Sequence, residues 1–165
     1  MKGLYLYNSF TKQLEAFEPL NKGFVGIYIC GPTVYAEPHL GHVRGPVVFD
    51  VLHRYLKHLG NQVRFIRNIT DVGHLLNDSD EGEDKIAKKA KTDNLEPMEV
   101  AHLYTESYQD MLRAMHILPA SIEPRASGHI IEQIEMIEEI LKIELANVVN
   151  GSVYLIENKY VGTND

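Results

Sequence analysis

The chain has 165 residues, of which 44% are hydrophobic and 24% are charged, so it is a globular chain and not a collagen-like or disordered one. Sixteen Lys and Arg residues against 23 Asp and Glu residues give a net charge of −7, which disfavours a stand-alone nucleic-acid-binding domain and docking on anionic lipid. One cysteine excludes a framework of intramolecular disulfides, and because neither a membrane span nor a secretory signal is recognisable, we expect a cytoplasmic protein.

The first half of the chain predicts a strand, a helix and a second strand. The apolar run Phe24–Cys30 predicts a central strand of a parallel sheet that is buried on both faces. Apolar residues at helical spacing predict a helix over Pro46–Leu59, although such a helix could begin earlier and run through Pro46. The second strand is predicted over Gln62–Asn68. Because such sheets bind ligands beyond the carboxyl ends of their strands, the residues that follow each strand are where we expect chemistry.

The second half predicts helices and one hairpin. The polar, acidic segment Gly73–Asp84 is predicted to be a solvated loop, and the lysine-rich segment Lys85–Lys91 opens a helix after it. Further helices are predicted over Pro97–Leu118 and Gly128–Leu145, the second with an isoleucine stripe opposite a glutamate stripe that faces solvent. Asn150-Gly151 lies between two β-rich runs and predicts a hairpin turn.

Functional residue types are concentrated directly after the first strand. His39 and His42 flank Gly41 at or near a helix start, where unpaired N–H groups and the helix dipole favour phosphate and a glycine lets a ligand approach the backbone. Two imidazoles there can donate hydrogen bonds to a polyphosphate whose charge grows during a reaction. From the histidines alone, however, the favoured interpretation is that they cap the helix.

Two other interpretations of the same stretch are weaker. A zinc triad of Cys30, His39 and His42 is disfavoured, because Gly31-Pro32 and the helix start should separate the thiol from the imidazoles. Cys30 by itself is most simply a packed strand residue. No Gly-x-Gly-x-x-Gly follows the strand and no Gly-Lys-Ser/Thr loop occurs, which argues against an ordinary dinucleotide fold and a P-loop enzyme.

The combined motifs identify a family resemblance. His39-Leu40-Gly41-His42 resembles the His-Ile-Gly-His signature of class I aminoacyl-tRNA synthetases, and with Cys30-Gly31-Pro32-Thr33-Val34-Tyr35 it resembles the cysteinyl-tRNA synthetases. Further segments that match this family are Leu6-Tyr7-Asn8-Ser9, Phe49-Asp50-Val51, Arg54-Tyr55-Leu56 and Asn68-Ile69-Thr70-Asp71, with looser matches at Glu123-Pro124-Arg125-Ala126 and Asn150-Gly151-Ser152-Val153-Tyr154. The resemblance implies an α/β fold. Residues 1–94 would form the first half of a Rossmann-like catalytic domain, a parallel sheet with helices, and residues 95–165 a helical connecting insertion with a hairpin.

The resemblance also implies a reaction. Cysteine and ATP would give cysteinyl adenylate and pyrophosphate, and the cysteinyl group would then pass to tRNA(Cys). His39 and His42 would be the catalytic residues and would contact the ATP phosphates, while Gly41 would admit the adenine or ribose face of the nucleotide. ATP would enter with Mg²⁺.

The same resemblance implies the residues that bind the amino acid. Gly31, Thr33 and Thr70 would lie near its amino and carboxyl groups, and the role of Asp71 stays open. Without the family, a helix cap or an Asx turn would be the favoured interpretation of Thr70 and Asp71. Cys30 would be one ligand of a Zn²⁺ ion that binds the substrate thiolate, a soft ligand that zinc prefers to a hydroxyl.

The sequence departs from the family pattern at three points. Leu40 replaces the isoleucine of the signature, which is a conservative change. The acidic insertion Gly73–Gly82 is expected to be a surface loop near the site, with substrate gating as an alternative. The other zinc ligands, the Lys-Met-Ser-Lys-Ser loop and the tRNA-binding helical domain are expected downstream of this chain, so the isolated chain should bind zinc weakly and be inactive.

Two alternatives share the same motifs. A cysteine ligase of the same fold that joins cysteine to an amino sugar would carry the same zinc and histidine elements. A truncated paralogue that binds a nucleotide or a partner without catalysis is the alternative outside the enzymes.

Overall fold

A computed structural model of the chain describes residues 3–73 and 84–156. The strands are β1 (Tyr5–Asn8), β2 (Gln13–Ala16), β3 (Phe24–Ile29), β4 (Gln62–Arg67), β5 (Ala146–Val149) and β6 (Ser152–Leu155). The helices are α1 (Leu40–His58), α2 (Lys85–Asp93), α3 (Pro97–Ala114) and α4 (Ile130–Lys142), with a 3₁₀ turn at Ala126–His129. None of the described helices is long and apolar enough to cross a membrane.

The chain forms two compact units, Met1–Pro124 and Arg125–Asp165. The first unit contains the parallel strands, the first three helices and the hairpin β1–β2. The second contains α4 and the hairpin β5–β6. The sequence predicts a different boundary, at residue 94, between a catalytic half and a connecting insertion. That boundary is one of function and not of compactness, so it stays a prediction.

The strands β3 and β4 form the predicted parallel pair, with α1 between them in the chain. The register runs from Phe24 beside Gln62 to Ile29 beside Arg67. The prediction that both faces of β3 are buried is wrong for the described residues, because Ile29 is 6% exposed and Tyr28 is 61% exposed. Side chains alternate between the two faces of a strand, and the described elements cover only one of these faces.

Helix α1 begins six residues before the predicted start and runs through Pro46, the alternative that the sequence left open. The early start has a local cause, because His39 and His42 form a capping box around the first turn. Pro46 lacks the N–H that would bond one turn back, and the other hydrogen bonds of this 19-residue helix offset that single loss. The helix ends as predicted before Gly60, whose φ of 88° is the left-handed conformation that glycine favours.

Helices α2 and α3 pack together and bury an apolar cluster against the segments that follow β3 and β4. This cluster contains Val34, Ile69, Ile86, Ala90, Val100, Ala101, Tyr104, Tyr108 and Leu112. Val34 and Ile69 are each 1% exposed, so the chain directly beyond both strands is anchored in the core. Helix α3 ends at Ala114 and not at Leu118, and the predicted loop before α2 falls almost entirely on residues 74–83, outside the described residues.

The segment after α3 returns along β4 as an extended chain. Ser121 N donates to Phe65 O over 2.7 Å, Arg67 N to Ile122 O over 3.3 Å, and Ile69 N to Pro124 O over 2.8 Å. These hydrogen bonds follow a parallel register, with Ile66 beside Ile122. The segment therefore delivers Glu123 to the carboxyl end of β4.

Two antiparallel hairpins complete the described elements. The hairpin β5–β6 is confirmed, with Asn150 at φ 52° and Gly151 at φ 83°, the pair of left-handed residues that a type I′ turn requires. The hairpin β1–β2 was not predicted, because its residues carry little hydrophobic alternation and its turn holds Lys12 at φ 58° in place of a glycine.

Candidate active site

The amino-terminal end of α1 is organised by two histidines. His39 is the N-cap, and its Nδ1 accepts a hydrogen bond from Gly41 N over 3.1 Å. In return, His42 Nδ1 accepts a hydrogen bond from His39 N over 3.1 Å. The two rings lie 4.1 Å apart between centroids and are tilted by 51°. The capping interpretation of these histidines is therefore confirmed, and capping leaves part of each ring available.

Capping also fixes the tautomer of both imidazoles. Because Nδ1 accepts a hydrogen bond in His39 and in His42, the proton of each neutral ring resides on Nε2. Burial, and to a lesser degree the neighbouring His39, lowers the pKa of His42 and favours its neutral form. Two N–H donors thus stand beside the positive end of a long helix dipole, an arrangement suited to phosphate oxygens.

Gly41 is required by this arrangement. A Cβ at position 41 would lie 2.8 Å from His39 Cε1 and would push the capping ring aside. The exposed backbone at Gly41 is therefore coupled to the position of the His39 imidazole.

The carboxyl ends of β3 and β4 meet at Gly31 and Asn68. Gly31 N donates to Asn68 Oδ1 over 2.8 Å, and Asn68 Nδ2 donates to Thr70 Oγ1 over 3.2 Å. A Cβ at Gly31 would lie only 1.6 Å from Asn68 O, so no side chain fits there without movement of the backbone. One asparagine therefore joins two of the residues that the sequence assigned to amino-acid binding.

Parallel pairing continues beyond the strands and fixes the remaining predicted residues. Thr33 pairs with Thr70, where Thr70 N donates to Pro32 O over 3.0 Å and Val34 N donates to Thr70 O over 3.2 Å. Thr33 and Thr70 are half-buried beside the site. Asp71, the next residue, is 1% exposed and belongs to the interior.

A cavity of about 200 Å³ brings most of these elements together. Its lining residues are Cys30, Gly31, Pro32, Gly41, His42, Gly45, Pro46 and Tyr108. The cavity thus joins the histidine-capped helix end to the strand ends. His39, Thr33 and Thr70 lie next to lining residues and do not line the cavity themselves.

Cys30 is exposed at this cavity and is not a packed core residue. In the described ranges, no group of three or more His, Cys, Asp or Glu side chains is placed to hold a metal ion. A closed zinc site needs four ligands and a catalytic one needs three, so the described residues do not form a zinc site. The triad of Cys30, His39 and His42 that the sequence disfavoured is not formed.

Two residues of the site escaped the sequence analysis as functional residues. Asn68 ends the second predicted strand. Its position two residues before Thr70, at the strand end where ligands are expected, could have identified it as a site residue. Tyr108 lies on α3, 62 or more positions along the chain from the other lining residues, and its helical spacing marks it only as a core residue.

Comparisons with known proteins identify the family of this chain. Residues 16–162 match the family described as the tRNA synthetases class I (C) catalytic domain. The cysteine–tRNA ligase of Porphyromonas gingivalis is 57% identical over 157 residues, which are 95% of this chain and 32% of that protein. The cysteine–tRNA ligase of Thermus thermophilus is 59% identical over 152 residues, which are 92% of this chain and 32% of that protein.

The fold has a counterpart among solved structures. Mycobacterium tuberculosis methionyl-tRNA synthetase in complex with methionyl-adenylate matches with a TM-score of 0.59 and 18% identity, over 85% of this chain and 29% of that chain. At this identity the likeness is one of fold. The chain spans about a third of the length of the curated relatives that it matches.

Proposed function

The chain belongs to the class I tRNA synthetase catalytic domain family of the cysteine type, and we propose that it supplies the ATP- and cysteine-binding part of a cysteine–tRNA ligase. The observation that carries the proposal is the cavity that joins the histidine-capped end of α1 to the strand ends at Cys30 and Gly31. One reactant can bind at each side of this cavity. The proposed enzyme works in the cytoplasm and transfers the cysteinyl group to tRNA(Cys).

In the proposed first step, a carboxylate oxygen of cysteine attacks the α-phosphorus of ATP. The bond from that phosphorus to the oxygen bridging to the β-phosphate breaks, and pyrophosphate leaves with the electron pair. Negative charge grows on the phosphate oxygens, and the Nε2–H groups of His39 and His42 would stabilise it together with the α1 dipole. The proposal is supported by the capping bonds, which engage Nδ1 of each ring and leave Nε2 to donate. Gly41 lets the nucleotide approach the backbone, and ATP enters with its Mg²⁺.

Cysteine is proposed to bind at the strand ends. The site needs acceptors for the amino group and donors for the carboxylate. The hydroxyl groups of Thr33 and Thr70 can serve in both ways, and the backbone carbonyl of Gly31 can accept. Asn68 holds Gly31 and Thr70 in place. Cys30 is proposed as one donor of a zinc site that ligands outside the described residues would have to complete.

The proposal is tested with a hybrid enzyme, because the curated relatives are about three times as long as this chain. The 165-residue chain replaces the matched third of the Thermus thermophilus relative, and cysteine-dependent exchange of pyrophosphate into ATP is measured. We expect exchange by the hybrid, and no exchange by the 165-residue chain alone. The variants His39→Asn and His42→Asn should each lower kcat by about 100- to 1000-fold, the usual effect of losing one transition-state donor.

His58→Asn is the matched control, because His58 is exposed at the opposite end of the same helix. It should leave exchange within about twofold of the unsubstituted hybrid. A folded hybrid that catalyses no cysteine-dependent exchange would refute the proposed function. Equal losses in the His42 and His58 variants would refute the role of the helix end.

A further inference from the structure

Tyr108 forms a wall of the cavity although it comes from α3, outside the elements that carry the family motifs. It is 3% exposed and lines the cavity together with Cys30 and Gly31. A tyrosine ring is large and rigid compared with the neighbouring glycines and prolines. Its position therefore sets how far a ligand can extend in this direction.

The Tyr108 ring is supported from behind by a charged side chain. Arg67 is 2% exposed, and its Cζ lies 5.3 Å from the centroid of the Tyr108 ring. Arg67 also packs behind Gly31, since a Cβ on that glycine would lie 3.2 Å from Arg67 Cγ. The wall thus stands at the strand ends, where cysteine is proposed to bind, and Arg67 backs both residues.

Arg67 is itself held by a partly buried network. Its Nε donates to Glu123 Oε1 over 3.0 Å, and its Nη2 bonds the same oxygen. The second oxygen, Oε2, accepts a hydrogen bond from Gln109 Nε2 over 2.7 Å, and Gln109 is the neighbour of Tyr108 on α3. Because residues 121–124 are hydrogen-bonded along β4, this network holds α3 against the strand. The Tyr108 ring therefore cannot move away from the cavity.

We propose that Tyr108 limits the length of the amino-acid side chain that the cavity accepts, and that Arg67 and Glu123 are positioning residues that hold its ring. The inference rests on the proposed function, because it concerns the amino acid bound at that site. Homocysteine is the appropriate probe. It has the same amino, carboxyl and thiol groups as cysteine and one more methylene, and the change of preference between the unsubstituted hybrid and each variant reports how length is limited.

The test measures kcat/KM for cysteine and for homocysteine in pyrophosphate exchange by the hybrid enzyme. One methylene is worth about 10- to 200-fold in such a pocket, and we expect the unsubstituted hybrid to prefer cysteine on this scale. Tyr108→Leu should lower the preference by about tenfold or more and leave the KM for ATP within about twofold. Tyr108→Phe keeps the ring and should keep the preference. Glu123→Gln should lower it by less than Tyr108→Leu.

Leu112→Ala is the control for core damage, because Leu112 lies one turn further along α3 in the same apolar cluster and does not line the cavity. It should cost stability and leave the preference unchanged. If Tyr108→Leu does not fold, Tyr108→Met takes its place, because methionine retains bulk and loses the rigid ring.

The outcomes separate the two proposals. An unchanged preference in Tyr108→Leu, or in Tyr108→Met where that variant takes its place, overturns the inference while the proposed function stands. The same change of preference in Leu112→Ala also overturns it. A hybrid that is folded and inactive with cysteine overturns the proposed function, and the inference falls with it. A reduced preference in Tyr108→Leu and Glu123→Gln that is absent from Tyr108→Phe and Leu112→Ala supports the inference.

Discussion

Replacing Gly31 by alanine should force apart the chain segments at the carboxyl ends of β3 and β4 and destabilise the fold. The added Cβ would lie 1.6 Å from Asn68 O and 2.8 Å from Asn68 C, whereas real Cβ atoms essentially never approach other atoms within 3.0 Å. The contact with the carbonyl oxygen is a contact with backbone, so no change of side-chain rotamer relieves it. The two chain segments must separate by more than an ångström.

That separation exceeds what the local hydrogen bonds tolerate. It breaks the bond from Gly31 N to Asn68 Oδ1 and strains the two bonds that pair Thr33 with Thr70. At a net value of about 0.5 to 1.5 kcal/mol for each bond, the loss of all three would lower the free energy of unfolding by about 1.5 to 4.5 kcal/mol.

Urea unfolding of the 165-residue chain, followed by circular dichroism, measures this loss. Gly45→Ala is the matched control, because Gly45 lines the same cavity within α1 and an added Cβ meets nothing within 4 Å. Alanine at a helix interior should raise the free energy of unfolding by about 0.5 to 1 kcal/mol. Opposite signs for the two variants support the reasoning. An unchanged unfolding midpoint in Gly31→Ala refutes it.

Three further predictions concern stability and are checked by urea unfolding. Burial, followed by the charge of Lys57, lowers the pKa of His53, which stacks on Phe65 at 5.1 Å. As the pH falls, the unfolded chain therefore takes up the proton before the folded chain does, and the free energy of unfolding should fall below about pH 6.5. It should fall less steeply with pH in His53→Gln, and equal slopes in the two proteins would contradict this. Asp84 Oδ1 accepts from Ile86 N and Ala87 N, so Asp84→Ala should cost about 1 kcal/mol, and no change would contradict the cap. Glu123→Ala leaves the Arg67 guanidinium buried without its anion and should cost about 3 to 5 kcal/mol, with a smaller loss in Glu123→Gln; equal losses would show that charge is not the cause.

The elements that the sequence predicted correctly have strong local causes. The run in β3, the helical spacing of α1 and the Asn150-Gly151 turn each depend on residues close together in the chain. The errors occur where a second cause competes. The start of α1 moved because a histidine capping box outweighs the preference of Pro46 for a first turn.

The candidate site could be predicted only in part for the same reason. The histidines and strand ends lie in short segments with recognisable patterns. Tyr108 and Glu123 reach the site through the packing of α3 and the return of the chain along β4, which involve sequence separations of 56 or more residues. The looser family match at Glu123-Pro124-Arg125-Ala126 marks the segment, but neither it nor the helical spacing of α3 indicates which distant residues these side chains contact.

The two sides of the cavity should respond differently to substitution because they differ in burial. His39 is exposed and His42 half-buried, so their substitution should reduce catalysis while the core stays intact. Gly31, Arg67 and Tyr108 are joined to the strands and to α3, so a change at any of them alters both stability and ligand binding. A substitution series should therefore lower activity far more than stability at the helix end, where only the cap of α1 is lost, and lower both together at the strand ends. This difference between the two ends of the cavity would show that the strand-end residues bind ligand with side chains that also stabilise the core, whereas the helix-end residues do not.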